Sequence, residues 1–221
     1  MEIIMSRQII EKTVKYVKNY LEGAESGHNW WHIQRVCNMA MHIYSIVKDG
    51  DPFIIEMASL LHDIGDHKIK SGYEPGPREF MDSIDLGSSR ADKITYIIDH
   101  ISFRDTYGPS YVHTPELDIV QDADRLDAIG AIGIARAFNY GGSRGREIFN
   151  PDEEPGHFEN TAEYIASHSS TINHFYEKLL KLKDMMNTVT GKQLAYDRHN
   201  YMEGFLRQFL KEWNGENGWH A

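Results

Sequence analysis

His62 and Asp63 adjoin at the end of an apolar run, Ile54-Ile55-Glu56-Met57-Ala58-Ser59-Leu60-Leu61, that reads as a buried helix. An imidazole beside a carboxylate is costly to bury there unless a charge compensates. A divalent cation does so directly, because it takes neutral imidazole nitrogen and carboxylate oxygen together. The alternative is a helix C-terminus with a dipole-stabilised histidine and a solvated aspartate. Two other stretches offer the same ligand types. His32 opens a helical stretch after His28-Asn29-Trp30-Trp31. Gln121-Asp122-Ala123-Asp124-Arg125-Leu126-Asp127 sets three carboxylates into an otherwise apolar helix, although aspartate is a poor helix former and rarely buried alone. Asp124 and Asp127, three apart, lie on neighbouring faces.

The elements that must position these groups read as helices nearly throughout. Ile10, Val14, Val17 and Leu21 recur at helical spacing and end near Gly23. Ile33, Val36, Cys37, Ala40, Met41, Tyr44 and Val47 form the stripe of a second helix. Asp51-Pro52 is an N-cap followed by a first-turn proline, and opens the helix that carries the chain to His62. A loop, Ser71 to Pro77, precedes short helices over about 78–86 and 90–101; Phe103 to His113 reads as irregular. Thr114-Pro115 opens one long helix running to Gly141-Gly142. Residues 143–160 read as a mobile surface loop, and loops that long in a compact domain are usually functional or mobile. Two helices, about 161–186 and 191–213, close the chain. The expectation is an all-α, single-domain bundle over 1–221, with a core of about 28–139 on which the C-terminal helices, about 161–214, pack.

With 221 residues, 41% of them hydrophobic and 25% charged, the chain has the make-up of a soluble globular domain. Its formal charge of −10 argues against a nucleic-acid polymer as partner but leaves room for a small phosphorylated one. No apolar run is long enough for a membrane span and no signal peptide is evident, so no membrane partner is expected and a cytoplasmic setting fits. Cys37 is the only cysteine, set among apolar helix positions, and reads as core. Twelve histidines favour a metal site.

The order His32, then His62-Asp63, then Asp124, all on helices, resembles the HD-domain metal-dependent phosphohydrolase superfamily. The wording His-Asn-Trp-Trp-His, His-Asp-Ile-Gly-Asp-His-Lys and Gln-Asp-Ala-Asp-Arg-Leu-Asp-Ala is similar to a bacterial branch of small stand-alone HD hydrolases, some of them similar to nucleotide pyrophosphohydrolases. The resemblance covers roughly residues 28–139. It implies that His32, His62, Asp63 and Asp124 are the metal ligands. Asp124 is preferred because the last ligand of related proteins directly precedes a basic residue, here Arg125. Two imidazoles and two carboxylates suit one divalent ion, Mn, Fe, Co, Ni or Zn rather than Mg. The double-histidine pairs of binuclear relatives are missing.

The implied activity is hydrolysis of a phosphoester or phosphoanhydride in a small metabolite, most plausibly a nucleotide, by metal-activated water. Asp66, four residues after His62, is the candidate general acid/base, with Lys68 beside it as a second catalytic candidate. Arg35, one turn from His32, and Arg125 are candidate phosphate contacts, with Arg104 behind them. His28, His67, His100 and Asp127 complete the candidate substrate side. Trp30 and Trp31 are packing residues or base-stacking ones, and Arg144 and Arg146 are candidate contacts from the 143–160 loop, which also carries His157. Alternatives are alarmone hydrolysis, disfavoured because His67 stands where that family has a second acid, and a non-catalytic metal- or nucleotide-binding regulatory module. The chain is expected to act as a monomer or homodimer; the aromatic face of Tyr201, Phe205, Phe209 and Trp213 packs internally by default.

Overall fold

Prolines and short polar caps start most of the helices. The structure, a computed structural model, describes residues 2–23, 29–65, 75–101, 111–158, 163 and 169–216. In chain order these form α1 (Glu2–Tyr20), α2 (Trp30–Val47), α3 (Pro52–Leu61), α4 (Pro77–Ser83), α5 (Ser88–His100), α6 (Pro115–Asp127), α7 (Gly130–Ser143) and α8 (Thr171–Glu177). A 3₁₀ helix, Leu179–Met185, and a long α9 (Val189–Trp213) follow. No strand occurs among the described residues, and the architecture is an all-α bundle. None of the described helices is long and apolar enough to cross a membrane.

Helix α6 lies at the centre, packed against α2, α3, α5, α7 and α9. Thr114 caps it by accepting from the Leu117 N–H, and Pro115 occupies the first turn. Leu117, Ile119, Val120, Ala123 and Leu126 are fully buried, each of the larger ones contributing about 1.5–3 kcal/mol of transfer free energy. Because neighbours surround α6, its polar residues are buried too: Gln121, Asp122, Arg125 and Asp127. Gln121 donates to the His100 carbonyl and the Tyr111 hydroxyl, and accepts from Asn187. Asp122 accepts from the Asn187 N–H at 2.7 Å, the Thr188 N–H at 2.8 Å and the Thr188 hydroxyl at 2.7 Å. Burial pushes its carboxyl up, and these donors offset that rise only in part. Asp122 thereby fastens the start of α9, where a Cβ on Gly191 would collide with its carboxylate.

Three expected elements differ. The long helix from Thr114 to Gly141 is two helices, broken at Ala128–Ile129. Gly130 takes a φ of +74° with Arg198 against it, a backbone that favours glycine, and Arg198 donates to the Leu126 carbonyl. The apolar stripe runs through the break without a phase change, so periodicity alone conceals it. The expected 161–186 helix is α8 and the 3₁₀ helix, separated at Lys178; residues 161, 162 and 164–168 lie outside the described residues. The 143–160 loop starts one residue later, since Ser143 ends α7, and its described part is held down: Glu177 accepts from the Gly156 N–H, and Glu153 from Asn173 and the Ser170 N–H.

Cys37 packs against the core, where burial pushes its thiol up to about 12. Trp30 packs there too, with the Lys18 ammonium 4.5 Å above its ring, whereas Trp31 is 63% exposed. On α9, Phe205 and Phe209 pack against Phe138, Phe175 and Phe149, while Tyr201 stays exposed and Trp213 covers the Phe149 edge half-exposed.

Candidate metal centre

His32 is placed by the local capping chemistry of α2. Asn29 caps the helix by accepting from the His32 N–H at 3.1 Å, which fixes His32 in the first turn facing inward, 2% exposed. His62 ends α3, where carbonyls lack intrahelical donors, and its Nδ1 lies 2.8 Å from the Ser59 carbonyl. Gly65, at a φ of +89°, turns the chain beyond the pair. Asp124 projects from α6, with 31% of its side chain exposed, and Asp63 is buried.

These four residues converge. The two Nε2 atoms of His32 and His62 are 3.2 Å apart. His32 Nε2 lies 3.4 Å from Asp63 Oδ2 and 3.5 Å from Asp124 Oδ1. His62 Nε2 lies 3.6 Å from Asp63 Oδ1 and 3.8 Å from Asp124 Oδ1.

Hydrogen placement follows from the partners on the far side of each ring. A carbonyl only accepts, so His62 carries its hydrogen on Nδ1. His32 Nδ1 lies 2.7 Å from Asp127 Oδ2, a carboxylate that likewise demands a donor. In their neutral forms both rings then turn an Nε2 lone pair to the centre, where the carboxylates add only acceptors. Each imidazole nitrogen thus has the other ring and a carboxylate of Asp63 and of Asp124 at 3.2–3.8 Å, acceptors that repel unless positive charge lies between them. Burial lowers His32 below the ordinary imidazole range, against the pull of Asp127 and Asp63. Burial opposes protonation of His62 as well, but Asp63 and Asp124 outweigh it and raise that ring. The field that draws a proton there also draws a cation, and two neutral imidazoles with two carboxylates match a divalent one.

The other expected site residues are not all brought to this centre. Asp127 turns away from the acceptor face: Arg35 donates to it through Nε at 2.6 Å and Nη2 at 2.9 Å, and Arg136 through Nη1 at 2.6 Å. Burial pushes its carboxyl up, but hydrogen bonds from His32 and Arg35 hold it below the usual range. This differs from the substrate contact expected of Asp127, since a carboxylate with that many donors has no reason to meet a phosphate. Arg125 also differs from expectation: it is buried, donates to the Met185 carbonyl and sits beside Tyr111, so its guanidinium serves the α6–3₁₀ junction. His100 hydrogen-bonds the Tyr96 carbonyl through Nδ1 and packs on the Tyr96 and Tyr111 rings, apart from the four acceptors. Arg144 and Arg146 flank the Tyr140 ring, and His157 is exposed. His28, Asp66, His67, Lys68 and Arg104 lie outside the described residues. Arg136 was not foreseen; a lone charge inside the apolar stretch Gly130–Phe138 was the available signal.

Relatives decide the family. No family model matches the chain. It is 38% identical over 208 residues to the YpgQ protein of Bacillus subtilis, covering 91% of this chain and 92% of that one. A Bacillus thuringiensis protein described as an HD-superfamily hydrolase is 41% identical in its crystal structure, with a TM-score of 0.71 over 95% of this chain and 98% of that one. The chain belongs to the HD-superfamily hydrolases. As such it is a metal-dependent phosphohydrolase. A Lactobacillus plantarum protein superposes with a TM-score of 0.79 at 32% identity, over 96% of this chain and 98% of that one. YpgQ has also been crystallised in complex with ADP; that structure is 33% identical, with a TM-score of 0.75 over 94% of this chain and 96% of that one.

Proposed function

We propose that this HD hydrolase cleaves a phosphoester or phosphoanhydride bond of a small nucleotide, with one divalent ion held by His32, His62, Asp63 and Asp124. The observation that carries the reading is the ring of four acceptors, whose only common partner is a cation. The ADP complex of YpgQ supports the nucleotide as substrate class. Mn, Fe, Co, Ni or Zn fit the mixed nitrogen and oxygen set better than Mg. A divalent ion there supplies Lewis acidity, which makes water a nucleophile near neutral pH and polarises a phosphoryl oxygen.

The chain's own residues supply the rest. Asp124, partly exposed, marks the open side on which substrate enters. The acidic protein needs local positive charge there, and the guanidiniums of Arg35 on α2 and Arg136 on α7, both paired with Asp127 behind His32, are the candidates. Asp66, from its spacing to His62, is the proposed acid/base, with Lys68 beside it.

The test is release of phosphate and pyrophosphate from a nucleotide panel with Mn added, comparing the native chain with Asp63→Ala. Pyrophosphate from triphosphates, lost in the variant, establishes a nucleotide pyrophosphohydrolase. Orthophosphate from monophosphates makes it a phosphatase with the same site. No release from any nucleotide, with metal bound, contradicts the nucleotide reading.

A further inference from the structure

The far sides of the two histidines are held by different kinds of group. His62 Nδ1 meets a backbone carbonyl, which no substitution of a side chain removes. His32 Nδ1 meets the Asp127 carboxylate, buried at 5% exposure and shared with two arginines. We propose that Asp127 is a positioning residue of the metal centre: it holds His32 in the Nδ1–H tautomer, so that Nε2 faces the other acceptors, and Arg35 and Arg136 fix the carboxylate that does so. This rests on the reading of His32 as a metal ligand.

The alternative tautomer shows why the lock matters. A hydrogen on His32 Nε2 would point at His62 Nε2, 3.2 Å away, and occupy the place of the cation. Outer carboxylate partners fix tautomer and ring orientation in metal sites generally, and their loss costs roughly 10- to 100-fold in affinity. The arginines leave the carboxylate no second arrangement. Asp127 Oδ1 accepts Arg35 Nε at 2.6 Å; Oδ2 accepts His32 Nδ1, Arg35 Nη2 at 2.9 Å and Arg136 Nη1 at 2.6 Å. Rotation of the carboxylate breaks the side-on pairing with Arg35.

The helix break serves the same purpose. Arg136 is nine residues beyond Asp127. In an unbroken helix nine residues rise about 13.5 Å, too far for a guanidinium to return. The turn at Ala128–Ile129, with Gly130 at φ +74°, folds α7 back, and Arg136 Nη1 meets both the Asp127 carboxylate and its backbone carbonyl, the latter at 3.2 Å. A break that periodicity does not require thus delivers the third donor to Asp127.

The experiment uses the full chain stripped of metal, with the Mn²⁺ dissociation constant read by competition with a fluorescent chelator. Native chain, Asp127→Ala and His62→Ala are compared, with folding checked by thermal unfolding. Asp127→Asn is avoided, because the oxygen that faces His32 also accepts from both arginines, so an amide would keep its oxygen there and preserve the native tautomer. Asp127→Ala removes the acceptor and frees His32 to take either tautomer. The expected result is Mn²⁺ binding about 10- to 100-fold weaker in Asp127→Ala, and weaker still in His62→Ala. A folded Asp127→Ala that binds Mn²⁺ within about threefold of native, while His62→Ala loses it, overturns the positioning role and leaves the metal site standing. Unchanged binding in both variants overturns the role and the metal site together. Nitrogen NMR of the ring in the native chain loaded with Zn²⁺ applies even if Asp127→Ala does not fold: a protonated Nδ1 on His32 supports the role, and a protonated Nε2 overturns it.

Discussion

Asp122 and Asp124 stand two residues apart on the same buried helix, and the two ends of the molecule they face treat a carboxylate in opposite ways. Asp122 faces the start of α9 and meets only donors, two backbone N–H groups and a hydroxyl. Asp124 faces α2 and α3 and meets only acceptors, the Nε2 atoms of His32 and His62. The first arrangement is complete and holds the fold together. The second is complete only with a cation, and that incompleteness is what identifies the functional end. Burial alone does not separate them; the chemistry of the neighbours does.

The comparison is broken most forcefully at the acceptor end. His62→Ala or Asp63→Ala should lower hydrolysis by more than the roughly 100-fold that loss of an outer partner costs, with the fold retained; residual activity within tenfold of native would rule out their role. Next comes the donor end. Asp122→Ala leaves the Asn187 and Thr188 donors unpaired and should cost about 3 kcal/mol, lowering Tm by roughly 6–12 °C, while Mn²⁺ affinity of the folded protein stays within threefold. Asp124→Asn should do the reverse: metal binding is lost, and the metal-free Tm does not fall, because mutual repulsion of acceptors is relieved. Equal melting losses in both variants would erase the distinction.

A smaller effect sharpens it. Adding Mn²⁺ at about 100 times its dissociation constant should stabilise the native chain by about 2.7 kcal/mol, a Tm rise of roughly 5–11 °C that is absent in Asp124→Asn. A further test lies away from both ends. Burial lowers His174 to about 3, helped by Lys178 and Arg146, so it is neutral in the folded state and titrates near 6.5 when unfolded. Its contribution is full above pH 6.5 and is lost as pH falls from there toward 3, by up to about 1.4 kcal/mol per pH unit. Unfolding followed by denaturant between pH 4.5 and 7 should show that slope flattened in His174→Gln; an unchanged slope would remove the group from the account.

The helical class and the caps at Asp51 and Thr114 were legible in the chain as local signals, whereas the grouping of His32, His62, Asp63 and Asp124, and the choice of Asp124 among three acids, came from the resemblance to HD hydrolases. Asp127 was legible as a buried acid but not in its direction, since i,i+3 spacing gives a neighbouring face and not the partner on it. Arg136 was hidden by the break at Ala128–Ile129: read as one helix, nine residues separate it hopelessly from Asp127. Arg125 looked like a phosphate contact from its position beside Asp124, yet adjacent helical residues point about 100° apart, and its guanidinium goes to Met185.

The most direct test of the four-acceptor centre is a crystal of the chain grown with Mn²⁺ and measured at a wavelength where manganese scatters anomalously. The account predicts one strong anomalous peak bounded by His32 Nε2, His62 Nε2 and the carboxylates of Asp63 and Asp124. A fully loaded crystal with its peak elsewhere, or with none among these four residues, would contradict it.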